Sequence, residues 1–243
     1  MPRFFVRAAD VTGDTAEVRG TEFRHLQRVL RLREGDRLTL FDDTGREHAG
    51  VVLSLSPRVA HVRITASHTP ARESPLAMTL YQGVAKGRKL DLVVEKATEL
   101  GVHAIVPVRS ARVIGHDTSP AKVERWRRIA KSAAQQSGRV RIPDVAEVHD
   151  WDALLGTFGA YDRVFLPWEL AEPRPLREVF ERALPAASSV LVIIGPEGGF
   201  AAGEVERASA AGALPISLGR RILRTETAAL VVLSAILYAR GEL

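Results

Sequence analysis

The chain has 243 residues, of which 46% are hydrophobic and 26% are charged, the ordinary composition of a soluble globular protein of one large or two modest domains. It contains no cysteine, so disulfides and thiol chemistry are excluded and a metal centre is not expected. The N-terminus lacks the apolar run of a signal peptide, and the longest uncharged apolar stretch, 227–239, is too short to span a bilayer. We therefore predict a soluble cytoplasmic protein with no metal and no membrane segment.

The formal net charge of +5 is unevenly distributed along the chain. Residues 109–141 carry nine basic and two acidic side chains, whereas residues 142–243 carry nine basic and fourteen acidic ones. A GC-rich genome would favour arginine everywhere, but it would not remove acidic residues from one segment. A concentrated basic excess is typical of a nucleic-acid contact, and we predict such a contact for 109–141.

Residues 1–70 are predicted to be mostly β. Polar and apolar side chains alternate as in half-buried strands, and turn signals separate the segments. The predicted strands are 3–6, 36–42, 48–55 and 58–64. Several short strands of this kind indicate a small barrel.

One segment of this region has helical spacing instead. Phe23, Leu26, Val29 and Leu30 recur at the helical period and predict a helix over 21–32 with these four side chains on its apolar face. The same spacing places the arginines off that face. They are Arg24, Arg28 and Arg31.

A polar, proline-containing stretch at 66–75 is the best candidate for a linker. After it, strand-like and helix-like segments alternate. The predicted strands are 76–82, 103–108, 161–167 and 190–194, and the predicted helices are 89–100, 119–137 and 176–184. The helix over 89–100 is expected to turn Leu92, Val93, Ala97 and Leu100 inward. This alternation predicts an α/β domain with a parallel sheet covered on both faces.

The strand over 190–194 runs directly into a glycine-rich turn, Gly195-Pro196-Glu197-Gly198-Gly199. Glycines let a ligand approach the backbone closely, and ligands of open α/β sheets bind at the carboxyl ends of strands. The turn carries neither the Gly-Lys-Ser/Thr of a P-loop nor the spacing of a dinucleotide fingerprint. It therefore indicates a nucleoside-like ligand held mainly by backbone groups, or else only a tight turn.

The last predicted helix begins with Thr225 as its N-cap. From 228 to 238 it is apolar on nearly every face, and such a helix must be buried on all sides. At a chain terminus the simplest way to bury it is partly against another subunit.

Several motifs, in order along the whole chain, resemble the bacterial 16S rRNA (uracil-N3)-methyltransferase family of the SPOUT superfamily. They are Arg3-Phe4-Phe5-Val6, His25-Leu26 with 29–32 and Gly35-Asp36, 95–102, Arg125-Trp126 with Ile129-Ala130, 136–139 with Ile142-Pro143, 194–200, and Leu218-Gly219 with 222–228. Each motif alone is moderately specific, whereas the ordered set is highly specific.

The resemblance implies a PUA-like RNA-binding β-barrel over 1–70 and a SPOUT methyltransferase domain over 76–243 with a C-terminal trefoil knot. It also implies a homodimer that uses S-adenosylmethionine and acts on 16S rRNA or the small ribosomal subunit. By matching position, the cofactor pocket would be lined by Leu166, Pro167, Ile194, Gly195, Pro196, Glu197, Gly198, Leu218, Gly219, Arg221, Ile222, Leu223 and Arg224.

The implied reaction is attack of uracil N3 on a sulfonium methyl group. Arg224 is the candidate catalytic residue, because an arginine beside the uracil oxygens would stabilise the negative charge that develops when N3 loses its proton. Glu197 is expected to have a structural role. The candidate RNA-binding residues are Arg3, Arg24, Arg28, Arg31, Arg112, Arg125, Arg128, Arg139 and Arg141. The alternatives are a ribose 2′-O-methyltransferase of the same fold and a non-catalytic ribosome assembly factor.

Overall fold

The fold is described from a computed structural model, in residues 1–112 and 119–243. The basic segment 109–141 therefore lies partly outside the described residues. The chain divides into two compact units. The N-terminal unit comprises Met1–Glu73 and Ala134–Ile142, and the C-terminal unit comprises Ser74–Ala133 and Pro143–Leu243.

The N-terminal unit is built on a curled six-stranded sheet within its described residues. Its strands are β1 (Arg3–Phe5), β2 (Val11–Thr12), β3 (Thr15–Arg19), β4 (Arg37–Phe41), β5 (Glu47–Leu55) and β6 (Val59–His68). The order is β1-β4-β5-β6-β3-β2, and every pairing is antiparallel except that of β1 with β4. The strands predicted at 3–6, 36–42, 48–55 and 58–64 are confirmed, whereas β2 and β3 were not predicted.

The helix predicted over 21–32 is shorter and changes its winding. An α-helical segment, α1 (Gly20–Arg24), continues as a π-helical turn over His25–Val29. Phe23 and Leu26 are buried as predicted, but Val29 is 67% exposed and Leu30 is also exposed. The prediction for Val29 and Leu30 was wrong because a π turn holds more residues than an α turn and rotates the following side chains away from the core.

The segment 134–142 is bound to the N-terminal unit by charged side chains. Arg3 donates to the carbonyl oxygen of Arg139 at 2.6 Å, and its guanidinium pairs with Glu47 at 3.2 Å. Arg139 pairs with Glu73 at 2.7 Å, and the Glu73 carboxylate also accepts from the backbone N–H of Val140 at 3.0 Å. No periodicity in the sequence predicted this association.

The C-terminal unit contains a parallel sheet, as the alternation of strands and helices predicted. Its strands within the described residues are β7 (Ala77–Gly83), β8 (Ala104–Arg109), β9 (Asp144–Val145), β10 (His149–Asp150), β11 (Arg163–Pro167), β12 (Ser189–Ile194) and β13 (Leu214–Ile216). The order is β10-β8-β7-β12-β11-β13, with β9 paired to β8. The short strands β9 and β10 lack any alternating pattern and were not predicted.

The helices of this part of the chain are α2 (Lys89–Glu99), α3 (Pro120–Ser137), α4 (Trp151–Leu155), α5 (Leu176–Ala183), α6 (Ala202–Ala210) and α7 (Thr225–Ala239). Four of them, α2, α3, α5 and α7, agree closely with the predicted segments, whereas α4 was not predicted. On α2, Val93 and Ala97 are buried as predicted, but Leu92 is 41% exposed and Leu100 only half-buried. Leu90 and Val94 are buried in their place, so the apolar stripe was predicted slightly rotated about the helix axis.

The strand β12 lies between β7 and β11, and its residues 190–193 are completely buried. A continuous β-branched and leucine run is what a strand covered on both faces requires. This burial makes the end of β12 a rigid base for the glycine turn that follows it.

The helix α7 packs against α2, α5 and β12. Val232, Leu233 and Ile236 are fully buried, but Val231 is 37% exposed and Tyr238 is 76% exposed in the single chain. The prediction that Thr225 is the N-cap was wrong. Arg224 occupies the N-cap position, and the Thr225 side chain points to another partner.

Candidate active site

The carboxyl ends of β11 and β12 open onto a cleft of about 560 Å³. This volume lies within the range of roughly 300–1,000 Å³ that is usual for small-molecule sites. The cleft is lined by Lys89, Pro167, Glu169, the continuous stretch 194–200, and Ile222, Leu223, Arg224, Thr225 and Ala228. The glycine turn and the loop before α7 are distant in sequence, but both line this cleft.

The glycine turn is packed closely against the end of β7. A Cβ atom on Gly83 would lie 2.4 Å from the backbone nitrogen of Pro196, so only glycine fits there. Gly199 has a φ of +65°, in the left-handed region that glycine adopts freely. The close approach of backbone to backbone thus shapes the turn, whose residues line the cleft.

Glu197 ties this turn to the segment that leads into α2. Its carboxylate accepts from the backbone N–H of Lys86 at 2.8 Å and from Nζ of Lys89 at 2.9 Å. Burial raises the pKa of Glu197, but the hydrogen bonds from Lys89 and Lys86 outweigh it and the net direction is below the ordinary value. These contacts support the structural role that was expected for Glu197.

Arg112 lies on the other side of the same turn. Its Nη1 donates to the carbonyl oxygen of Gly198 at 2.7 Å, and a Cβ atom on Gly198 would lie 3.2 Å from the Arg112 Cβ. Its backbone neighbour Ala111 donates its N–H to the buried carboxylate of Glu204 at 2.9 Å. Arg112 was predicted to bind RNA, and the structure places its guanidinium on the glycine turn.

A smaller pocket of about 80 Å³ adjoins the cleft. Leu218, Gly219 and Arg221 line this pocket rather than the cleft, and Pro167, Ile222 and Leu223 line both. The indole Nε1 of Trp168, another residue of this lining, is buried without a hydrogen-bond partner among the described residues. An unpaired buried donor beside a pocket is suited to a polar group of a ligand.

The structure brings together nearly all of the predicted pocket residues. Leu166 is the exception, because it is fully buried in the core and lines neither pocket. The predicted set lacks eight residues that line the cleft or the adjoining pocket: Lys89, Trp168, Glu169, Gly199, Phe200, Ser217, Thr225 and Ala228. Trp168 and Glu169 directly follow the strand β11, and that position at a strand end was a signal that could have found them.

Arg224 lines the cleft with an exposed guanidinium. Within the part of the chain that the structure describes, this side chain makes no hydrogen bond or ion pair. A cationic group without a protein partner is available to a ligand in the cleft. Ile222, two residues earlier, is 85% exposed at the same rim.

The predicted RNA-binding arginines of the N-terminal unit divide into two groups. Arg24, Arg28 and Arg31 are exposed around the π-helical turn, beside the exposed Val29 and Leu30. By contrast, the Arg3 and Arg139 side chains are 13% and 7% exposed and are engaged by Glu47 and Glu73. Burial lowers the pKa of Arg3, partly offset by Glu47. Arg141 is exposed and donates to the carbonyl oxygen of Thr44 at 3.1 Å.

The predicted RNA-binding arginines of the helix α3 are both exposed. Arg125 pairs with Asp91 at 2.7 Å, and Asp91 also accepts from the indole N–H of Trp126 at 3.2 Å. Among the residues that the structure describes, Arg128 donates only to the carbonyl oxygen of Glu124 on its own helix, at 3.2 Å. Arg128 is therefore better placed than Arg125 to reach an external anion.

Residues 1–112 and 119–243, which the structure describes, contain no group of three or more His, Asp or Glu side chains placed to hold a metal ion. None of their helices is both long and apolar enough to cross a membrane.

Two family models match the chain. Residues 72–237 match the model described as an RNA methyltransferase domain, and residues 18–65 match the one described as an RNA methyltransferase PUA domain. The first covers more than half of the chain, and the matched ranges correspond to the C-terminal and N-terminal sheets.

Curated relatives and solved structures are similar over nearly the full length. Ribosomal RNA small subunit methyltransferase E of Bacillus subtilis is 36% identical, with 98% of this chain and 96% of that protein covered. The crystal structure of ribosomal RNA small subunit methyltransferase E from Neisseria gonorrhoeae bound to S-adenosyl methionine has a TM-score of 0.87 at 33% identity, covering 98% and 97% of the two chains. A Legionella pneumophila methyltransferase in complex with the same cofactor has a TM-score of 0.82 at 30% identity, with the same coverage.

Proposed function

The chain belongs to the ribosomal RNA small subunit methyltransferase E family, and from this premise we propose that it transfers a methyl group from S-adenosylmethionine to N3 of one uridine in 16S rRNA. The protein is an rRNA methyltransferase that uses S-adenosylmethionine. The position of the methyl group on the nucleoside and the residues that promote its transfer are the proposal.

The observation that carries the proposal is the Arg224 guanidinium, which lines the cleft without a protein partner in the described chain. Uracil N3 carries a proton at neutral pH, and its loss places negative charge on the flanking oxygens. A guanidinium that donates to one of these oxygens stabilises the charge as it develops, and the effect is large in a site that excludes water. Arg224 lies directly before the helix α7, whose N-terminus adds a further positive potential.

The lining of the cleft fits the cofactor. S-adenosylmethionine supplies an electrophilic methyl group on a sulfonium centre. The backbone of 194–199 offers peptide groups, Ile222 and Leu223 offer apolar contact, and Trp168 offers an unpaired donor in the adjoining pocket. Glu169 and Glu197 place negative charge beside a cationic ligand. We attribute most of the rate enhancement to the binding of the cofactor and the uridine in the relative orientation that the transfer requires.

RNA binding is assigned to the exposed arginines rather than to the whole predicted set. Arg24, Arg28 and Arg31 in the N-terminal unit and Arg128 on α3 are free to contact phosphates, which position the enzyme on RNA. The exposed Val29 and Leu30 beside these arginines suit an unstacked base. The buried pairings of Arg3 and Arg139 favour a structural role for both.

Further assignments follow from the family and remain part of the proposal. The N-terminal residues 1–70 form a PUA-like barrel, and residues 76–243 form a SPOUT domain with a C-terminal trefoil knot. Two chains form a homodimer in which the exposed side of α7 is covered. The substrate is 16S rRNA or the small ribosomal subunit, which places the enzyme in the cytoplasm.

The test is methyl transfer to small ribosomal subunits, and separately to naked 16S rRNA, from cells that lack the modification. Nucleosides from the digested RNA are separated and identified by mass spectrometry. We expect N3-methyluridine at one position. A 2′-O-methylated nucleoside would favour the ribose methyltransferase, and RNA binding without any transfer would favour the assembly factor.

A further inference from the structure

Three segments that are distant in sequence meet through side-chain hydrogen bonds beneath the cleft. Gln82 lies at the end of β7, Gly195 directly follows β12, and Thr225 begins α7. The amide Nε2 of Gln82 lies 2.8 Å from Thr225 Oγ1, and Thr225 Oγ1 lies 2.6 Å from the carbonyl oxygen of Gly195. Gly195 and Thr225 line the cleft, whereas Gln82 does not reach it.

The chemistry of the three groups determines the direction of this chain of hydrogen bonds. The Gly195 carbonyl can only accept, so the Thr225 hydroxyl uses its single proton there. Its remaining partner must therefore be a donor, which the Gln82 amide nitrogen is. The chain runs from amide to hydroxyl to carbonyl and has no alternative arrangement.

The surroundings make these bonds difficult to replace by water. Gln82 is completely buried and Thr225 is 7% exposed. Gln82 Nε2 also donates to the carbonyl oxygen of Gly83 at 3.3 Å, while Gln82 Oε1 is buried without a partner within the described residues. The sheet therefore retains a costly polar side chain at a position where a buried aliphatic residue would be the ordinary choice.

We propose that Gln82 is a positioning residue for methyl transfer. Through Thr225 it sets the orientation of the Gly195 peptide, which lines the proposed cofactor cleft, and of Arg224, whose backbone is joined to Thr225. The inference rests on the proposed cofactor cleft, since it assigns a role to residues that act on that cleft from below. It extends the site beyond the residues that line it, to a strand end more than a hundred residues away in sequence.

The test is a double-mutant cycle on S-adenosylmethionine affinity, measured by calorimetry without RNA. Gln82→Met keeps the size of the side chain and removes the donor, and Thr225→Val keeps the shape and removes the hydroxyl. We expect each single variant to bind the cofactor about three- to tenfold more weakly, the effect of one buried hydrogen bond. Because both act on the same chain of bonds, the double variant should be little weaker than either single variant.

Two further variants separate positioning from general loss of stability. Thr225→Ser keeps the hydroxyl and should restore wild-type affinity. Gln136→Met makes the same chemical change at an exposed glutamine of α3 and should leave cofactor affinity unchanged. Thermal unfolding of every variant is recorded without cofactor. The single-turnover rate of Gln82→Met at saturating cofactor is expected to fall, because Arg224 is displaced in this variant.

The outcomes distinguish this inference from the proposed cleft. Failure of the wild-type protein to bind S-adenosylmethionine, or wild-type affinity in a variant whose cleft is filled, overturns the proposed cleft and the inference with it. If the filled cleft abolishes binding but Gln82→Met or Thr225→Val binds as the wild type does, the positioning role alone is overturned. Additive losses in the double variant likewise overturn it.

Discussion

The guanidinium of Arg112 donates a hydrogen bond of 2.7 Å to the carbonyl oxygen of Gly198, in the turn that forms the wall of the cleft. This contact joins the start of the basic segment to the cofactor site within one unit of the chain. Arg112 is exposed, so an RNA phosphate that bound the proposed RNA-contacting guanidinium would draw it away from the Gly198 carbonyl. RNA binding and the conformation of the turn are therefore expected to influence each other.

The first prediction is that Arg112→Ala weakens S-adenosylmethionine binding in the absence of RNA. The loss should be about two- to tenfold, the effect of one hydrogen bond at a partly exposed site. Calorimetry measures the affinity. Arg109→Ala is the matched control, because Arg109 pairs with Asp150 outside the cleft. Equal affinity in Arg112→Ala and the wild type would limit Arg112 to RNA contacts.

A second prediction concerns the cleft itself. Ala228 lines both the cleft and the adjoining pocket, so Ala228→Leu should fill part of the space and weaken cofactor binding at least about tenfold, or ~1.4 kcal/mol. This variant is preferable to Gly195→Val, because a Cβ atom on Gly195 would lie 3.2 Å from the Phe200 ring and disturb the turn. The control is Ala202→Leu at the exposed start of α6. Full affinity in Ala228→Leu would place the cofactor elsewhere.

The third prediction assigns the chemical step to Arg224. Arg224→Ala should slow single-turnover methyl transfer about a hundredfold or more, because an interaction made mainly in the transition state is lost. RNA affinity should stay near the wild-type value. Arg220→Ala is the control, since Arg220 is exposed in the same loop but lines neither pocket. A wild-type rate in Arg224→Ala would make Arg224 a structural residue.

A fourth prediction concerns the arginines that we propose to contact RNA. Arg28→Ala and Arg128→Ala should each weaken RNA binding and reduce the slope of log K against log salt by about 0.7–0.9, the contribution of one phosphate. The rate at saturating RNA should change little. Arg182→Ala, at an exposed arginine of α5 outside both regions, is the comparison. An unchanged salt slope in Arg128→Ala would mean that α3 faces something other than RNA.

The last prediction concerns assembly. Val231 and Tyr238 are exposed on α7, whose opposite side is buried through Ala229, Val232, Leu233, Ile236 and Leu237, so a second copy should cover them. Light scattering at micromolar concentration should give about twice the chain mass for the wild type, and Val231→Asp should give a monomer because it buries an unpaired charge in the interface. Leu214→Asp, at an exposed leucine of β13, should remain dimeric. A wild-type protein that is monomeric and fully active would contradict the proposed homodimer.

The sequence by itself determined the alternation of the longer strands and helices in the C-terminal unit. The run over 190–194 predicted a strand buried on both faces, because five consecutive apolar side chains of a strand point to both faces of the sheet. The glycines after this run indicated a ligand site. Gly101 and Gly138 mark the ends of α2 and α3 and have φ values of +83° and +81°, since glycine adopts the left-handed conformation that terminates a helix. These signals are local and can be read from neighbouring residues.

Tertiary structure decided which residues act on one another across the chain. Val29 is exposed because of a π turn, which the periodicity of the sequence does not predict. The buried pairing of Arg139 with Glu73 forms because the segment 134–142 belongs to the N-terminal unit. The link from Gln82 through Thr225 to Gly195 joins three segments. Gln82 and Thr225 are 143 residues apart in sequence, and Gly195 and Thr225 are 30 residues apart. A hydrogen bond depends on the distance and direction between two groups in space. The spacing of residues along the sequence gives neither quantity, because the sheet brings the strand ends together only in the folded protein.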